Sequence, residues 1–191
     1  FEFDRLRSSR RPSCLMVHRV AGPISAYRGE DDGTDRRIWE LNQEVADVTV
    51  FQSQYSFRAN QEIGLCFKNP AVILNAVDPR IFHPPERPRN LSGRKIRIVS
   101  TSWSKNPNKG TAVYKDLEDR LDWDRFEYTF VGRSPVAFDR IRMVPPMPSR
   151  ELAQLLRQHD IYITASVNDP CSNALLEALA SGLPAVYADS G

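Results

Sequence analysis

Of the 191 residues, 41% are hydrophobic and 26% charged, proportions ordinary for a globular protein and unlike those of a disordered one. The formal net charge is +2, and a division at residue 91 leaves 13 basic against 12 acidic side chains in each part, which excludes the one-sided basic field by which proteins hold nucleic acid. No apolar run approaches the ~20 residues of a membrane-spanning helix, and the opening Phe-Glu-Phe-Asp-Arg lacks the form of a signal peptide. Cys14, Cys66 and Cys171 show neither CxxC spacing nor a His partner of metal-ligand spacing, and read as reduced thiols of a cytoplasmic protein.

In chain order, a buried strand is expected over Ser13 to His18, then a helix over Arg36 to Val45 with Ile38, Leu41 and Val45 on one stripe. A strand follows from Asp47 to Phe51. A polar helix opens at Ser53, runs to Ile63 and is closed by Gly64, and a third short strand covers Ala71 to Leu74. Four prolines in ten residues, Pro79, Pro84, Pro85 and Pro88, lead into the turn-forming stretch Arg89 to Gly93 and mark a linker. Beyond it, strands are expected over Lys95 to Thr101, Phe126 to Val131, Ile141 to Val144, Asp160 to Ala165 and Ala185 to Ala188. Helices are expected over Lys109 to Leu121, Glu151 to Gln158 and Asn173 to Ser181. Strands alternating with helices predict an α/β protein with parallel sheets built from βαβ units. The organisation is a first domain over 1–82, a Pro-rich linker over 83–93 and a second domain over 94–191.

The most informative stretch is Asp169-Pro-Cys-Ser-Asn-Ala-Leu-Leu-Glu177, which sets carboxylates on either side of a helix start. The unpaired N–H groups and the positive dipole end of such a helix attract an anion such as a diphosphate. Asp169 in the loop and Glu177 one turn into the helix are both expected at a crevice at the carboxyl end of the sheet, one for sugar hydroxyls and one for ribose hydroxyls. The same two carboxylates can also serve as a cap and a solvated helix residue. The loop Ser100 to Gly110 joins a strand to a helix at the ligand end of such a sheet, where Lys109, with Lys105 beside it, can hold a diphosphate or stand solvated in a turn. Gly132 permits close backbone approach or simply a turn, with Arg133 solvated. His18 ends the first expected strand, ahead of the loop Arg19 to Ile24 and the polar stretch Tyr27 to Gly33. The DxD pair Asp122 and Asp124, a form used elsewhere to bind a divalent ion, falls between a helix and a strand at the amino end of the sheet, away from that crevice.

These motifs resemble the retaining glycosyltransferases of family 4. Asp169 to Glu177 is similar to their E-x7-E signature, with Asp169 in the place of the first Glu. The likeness continues through Lys109-Gly110, Phe130-Val-Gly132, Ser149 to Leu156 and Asp160 to Ile163. In the first half it includes Val17-His18, Ala46 to Ser53, Val72 to Asp78 and Phe82. The resemblance implies two Rossmann-like domains of GT-B type, both incomplete in this chain, and a metal-independent hexosyltransferase moving a sugar from a nucleotide diphosphate sugar to an acceptor hydroxyl by front-face attack. It implies no cofactor and an acceptor that is a glycan, a lipid-linked molecule or a small molecule, with peripheral membrane contact open. His18, Lys109 and Asp169 are its expected catalytic residues. Gly132, Ser172, Asn173 and Glu177 are expected to bind the donor, and none to bind metal. The family's commoner pattern places an Arg where Ser102 and Ser104 stand. Tyr27 to Gly33 would form an acceptor loop, and the chain as written is expected not to turn over. Two alternatives stand beside this reading: a non-catalytic or degenerate module that binds nucleotide sugars, and a metal-dependent transferase using Asp122 and Asp124.

Overall fold

A computed structural model describes every residue except 1–4, 6, 7, 9, 10, 12, 30, 31 and 191. The chain divides into two compact units, residues 1–75 with Asn168–Cys171, and Ala76–Val167 with Ser172–Ser190.

The first unit holds three parallel strands in the order β1 (Val17–Val20), β2 (Val48–Phe51), β3 (Pro70–Val72). A short helix α1 (Ile24–Arg28) precedes α2 (Thr34–Val45), which links β1 to β2, and α3 (Gln54–Glu62) links β2 to β3. Ser53, expected to open that helix, is its N-cap and accepts from the Ser56 amide at 2.9 Å. Val20, Phe51, Leu65 and Phe67 form the core, with the Phe51 and Phe67 rings edge to face at 5.5 Å. Asp35, on α2, accepts from the Ile24 and Ser25 amides at 2.7 and 2.9 Å, so the one-turn α1 takes its cap from a residue beyond it in sequence.

The first strand lies later than its apolar run implied. Ser13 to Leu15 are exposed, and the parallel register Val17 to Val48 through Val20 to Phe51 centres the strand on His18 and Arg19. The pairing partner sets the bounds, and Val20 brings the apolar side chain that meets Phe51 and Leu65.

The second unit is a five-stranded parallel sheet in the order β6 (Arg142–Val144), β5 (Phe126–Gly132), β4 (Ile96–Ser102), β7 (Ile161–Thr164), β8 (Ala185–Tyr187). Its helices are α4 (Thr111–Arg120), α5 (Ser149–Arg157) and α6 (Asn173–Ala180). Alternate residues of β4 and β5 feed two cores. Val99 and Val131 join Tyr162, Leu152, Leu156 and Ala178, while Ile98, Tyr128 and Phe130 join Tyr114 of α4. The chain runs from β4 outward to β5 and β6, then crosses to the other side of β4 for β7 and β8. The sheet therefore reverses direction between β4 and β7, at a topological switch point.

Ala76 to Phe82, assigned from sequence to the first domain, is counted with the second unit, where Phe82 is buried among Val99, Leu152 and Leu183. The Pro-rich stretch after it is anchored as well. Arg89 donates to the carbonyls of Ser181 and Gly182 at 3.0 and 2.7 Å, and Arg157 donates to Ile81 at 3.1 Å.

Candidate active site

At the carboxyl end of β4 the chain turns through Ser102 to Asn106, a loop knit by its own side chains. The Ser102 hydroxyl donates to the Ser104 carbonyl at 2.9 Å, and Asn106 caps the 3-10 turn Pro107–Lys109 by accepting from Asn108 N–H. Gly110 then adopts φ +78 with its α-carbon pressed onto the end of β7, where a Cβ would collide with the Ala165 carbonyl and side chain. Beside it the Val167 amide donates to the Asn108 carbonyl at 2.8 Å. The loop that carries Lys109 is thus clamped across the switch point, against the strand whose own loop leads to α6.

That second loop ends at Ser172, the N-cap of α6, whose hydroxyl accepts from the Leu175 amide at 3.4 Å. Asn173 is the first helical residue, and the first turn holds no acidic side chain to compete for an anion. Glu177 stands one turn further in, half-buried. Its carboxylate makes no hydrogen bond or ion pair among the described residues, and burial pushes its proton affinity up. The charge is felt by Tyr162, fully buried with its hydroxyl 3.0 Å from that of Thr101. A carboxylate left half-buried and uncompensated carries a cost that a ligand with hydroxyl groups relieves.

Gly132 closes β5 at φ +121, in register with Ser102, and a Cβ there would overlap the Ser102 carbonyl. The close approach expected of this glycine is therefore one between two strands, and its flanking Arg133 is fixed by it, since the Arg133 amide donates to the Ser102 carbonyl at 2.7 Å. Arg133, expected only to be solvated, is a second cation at the carboxyl rim, its guanidinium donating to the Trp103 carbonyl at 3.5 Å. Only the pairing of β5 with β4 shows this.

Asp169 is counted with the first unit, apart from Glu177 in the second. Its Oδ1 accepts from the Cys171 amide at 3.4 Å. The residues flanking it are held there. The Tyr55 hydroxyl donates to Asn168 Oδ1 at 3.2 Å, Asn168 Nδ2 donates to the Ala26 carbonyl at 3.3 Å, and the Ser53 hydroxyl donates to the Pro170 carbonyl.

His18 does not end its strand. It is the second residue of β1, nearer the amino end, and its Nδ1 lies 3.1 Å from Asn42 Nδ2 on α2. Asn42 is buried, and its Oδ1 accepts from the Lys68 amide at 3.1 Å, which fixes the amide group so that Nδ2 donates both to His18 and to Thr49. His18 Nδ1 therefore accepts, the proton sits on Nε2, and burial lowers the affinity for a second proton. The carboxyl rim of this sheet carries instead Arg19, whose Nη2 donates to Gln52 and to Asn75. Of the polar stretch Tyr27 to Gly33, Glu30 and Asp31 lie outside the described residues, while Tyr27 and Arg28 end α1.

Asp122 and Asp124 form a turn at the amino end of β5, where Asp122 Oδ1 accepts from the Asp124 amide at 3.1 Å. Among the described residues no group of three or more His, Cys, Asp or Glu side chains is placed to hold a metal ion, and no helix is long and apolar enough to cross a membrane.

Residues 106–191 match the family model described as glycosyl transferases group 1. The D-inositol 3-phosphate glycosyltransferase of Corynebacterium efficiens is 27% identical over 182 residues, which is 94% of this chain and 36% of that protein. Its counterpart in Corynebacterium glutamicum is 26% identical over 125 residues, 65% of this chain and 25% of that one. The chain thus spans about a third or less of the curated relatives it matches. Among solved structures, HepE of Anabaena in complex with UDP-glucose superimposes with a TM-score of 0.74 at 18% identity, over 93% of this chain and 54% of that one. Sucrose-phosphate synthase of Thermosynechococcus elongatus also gives 0.74, at 15% identity over 98% of this chain and 53% of the other. The parallel sheets and these neighbours establish the α/β fold of the GT-B glycosyltransferases over the part of it that this chain spans.

Proposed function

We propose that this chain carries the donor-handling part of a retaining, metal-independent glycosyltransferase of family 4, which moves a hexose from a nucleotide diphosphate sugar to an acceptor hydroxyl. The observation that carries the proposal is the switch point between β4 and β7, where the clamped Lys109 loop, the Ser172-capped start of α6 and the half-buried Glu177 belong to one sheet edge. The sugar nucleotides bound by similar structures support it, among them UDP-glucose with HepE and UDP-2-fluoro glucose with an Escherichia coli trehalose-6-phosphate protein.

In this reading the leaving diphosphate is stabilised by Lys109 and by amides at Ser172 and Asn173, with Arg133 as a second cation, which is electrostatic stabilisation of developing charge. Glu177 holds the ribose and Asp169 the donor sugar. His18, with its proton fixed on Nε2, serves the acceptor side. The first unit is the acceptor side and the second unit, which begins at Ala76, is the donor side. The acceptor is a glycan, a lipid-linked molecule or a small molecule, and the compartment is the cytoplasm, where three free thiols stay reduced.

The test is product formation by the full-length protein with a panel of nucleotide sugars, with EDTA present and absent, and with the anomeric configuration of the product read by NMR. Inversion of configuration, or loss of activity in EDTA, would sink the retaining or metal-independent parts. One observation favours a second reading: Asp169 is one methylene shorter than the Glu it replaces, which suits a module that binds a nucleotide sugar without transferring it. Binding with no product from any donor and acceptor pair would select that reading.

A further inference from the structure

At the amino end of the second sheet, opposite the switch point, lies a groove of about 690 Å³, within the size range of small-molecule sites. Four cationic side chains line it, Lys95, Arg97, Arg140 and Arg142, against two carboxylates, Asp124 and Glu127. Part of this charge is already committed. Arg97 faces Glu127 at 3.5 Å, and the Lys95 ammonium donates to the Trp123 carbonyl at 2.5 Å. Arg140 and Arg142 are differently placed. The Arg140 guanidinium carbon lies over the Trp123 ring, 4.6 Å from its centroid, and its N–H groups make no hydrogen bond among the described residues. The Arg142 side chain makes no hydrogen bond, ion pair or ring contact among the described residues, its backbone being part of β6. His159, buried in the lining, donates from Nδ1 to the Leu155 carbonyl at 2.8 Å and is thereby held with an acceptor nitrogen at Nε2.

We infer that this groove is a second ligand site, separate from the proposed donor site, and that it takes a small molecule bearing a phosphate or diphosphate group. A guanidinium seated over an indole and a second one whose side chain has no partner among the described residues match the bidentate demand of phosphate oxygens. The uncompensated positive charge supplies the attraction. The two paired cations and Asp124 limit it to a compact anion and leave no continuous basic track for a polymer.

The test uses the whole chain and inorganic pyrophosphate as the probe, followed by the intrinsic fluorescence of Trp123. Pyrophosphate is expected to change the emission in a saturable way, and the change should weaken as salt is raised. It should be lost in Trp123→Phe, retained in Lys109→Ala, and shifted to at least roughly tenfold higher concentration in Arg142→Ala, the effect of removing one charged hydrogen-bonding group. Arg142→Lys, which keeps the charge without the fork, should fall between. A response lost in Lys109→Ala and unchanged in Arg142→Ala would assign the binding to the donor site and overturn the inference. So would a silent chain that instead sediments with phosphatidylglycerol vesicles, which would mark the groove as a lipid-headgroup surface.

Discussion

Arg89 Nη1 lies 2.7 Å from the carbonyl oxygen of Gly182, and its Nη2 lies 3.0 Å from that of Ser181, so one guanidinium from the Pro-rich stretch closes the carboxyl end of α6. Its Nε is buried without a partner, and burial lowers the affinity of the group for its proton. The last helical carbonyls, those of Glu177, Ala178 and Leu179, already accept from the Ser181, Leu183 and Gly182 amides, so Arg89 serves the two carbonyls just past the helix end. Arg89→Ala is expected to destabilise the chain by roughly 1.5–3 kcal/mol in urea unfolding, with Arg89→Lys recovering part of the loss. A wild-type midpoint in Arg89→Ala would show the stretch to be loosely held.

Gly132→Ala places a methyl group on the Ser102 carbonyl and forces φ +121 on a residue with a side chain. The backbone of β5 must move, at a cost of roughly 2–4 kcal/mol in denaturant. Since the Arg133 amide is bonded to the same carbonyl, the variant should also lose affinity for a nucleotide at the rim. Unchanged stability would mean that the β4 and β5 ends are free to part.

The alternation of strands and helices was legible because each element has its own apolar period, and the bounds of β5, α6 and β8 lie within a residue of those expected. Lys109 and Glu177 were legible as candidates because their loop and helix positions follow from the same alternation. His18 was misplaced because an apolar run from Ser13 ended at it. The strand is set by pairing with Val48 to Phe51, and no local pattern reports a partner. For the same reason Phe82 and Arg89 read as the end of a domain and part of a linker: their packing against Val99, Leu183 and the end of α6 involves residues distant in sequence. Arg133 was overlooked because its place at the rim depends on the register of Gly132 with Ser102.

Glu118 gives the chain a defined acid response. Burial alone would raise its affinity for a proton, but the Lys115 ammonium at 2.6 Å and the amides of Ile141 and Arg140 at 2.9 and 2.6 Å outweigh it and hold the carboxyl at about 2, against an ordinary 4.5. A carboxyl depressed in this way contributes stability that is fully present above the ordinary range and is lost as pH falls through about 2. Glu118→Gln should therefore be less stable than the wild type at neutral pH, with the gap closing between pH 4.5 and about 2 in thermal unfolding. A gap that does not change with pH would mean that the loss comes from packing alone.

Lys109→Ala tests the phosphate role apart from folding. The side chain follows Asn108 in a turn whose backbone is fixed by Gly110 and by the Val167 amide, neither of which needs the ammonium group. Calorimetry with a nucleoside diphosphate should show roughly 1.5–3 kcal/mol less binding energy, while the unfolding midpoint moves little. Equal losses in the two measurements would make this a structural lysine.

Glu177 should separate binding from stability in opposite directions. Its carboxyl is half-buried with no compensating donor among the described residues, and burial raises its proton affinity in the folded state. The folded chain therefore binds this proton more tightly than the unfolded one, so the carboxylate lowers stability at neutral pH, and the deficit is relieved as pH falls through the raised value toward the ordinary one. Glu177→Gln keeps the shape and removes the charge, so it should melt higher than the wild type at neutral pH, and the two curves should converge in acid. The same substitution should weaken nucleotide binding, because a neutral amide accepts the two ribose hydroxyls less strongly than a carboxylate. Glu177→Ala, which removes both, should lose roughly 1.5–3 kcal/mol of nucleotide binding by calorimetry. If Glu177→Gln is less stable at neutral pH, the carboxylate has a partner in the fold and is not held in reserve for a ligand. If its nucleotide affinity matches that of the wild type, the ribose contact lies elsewhere.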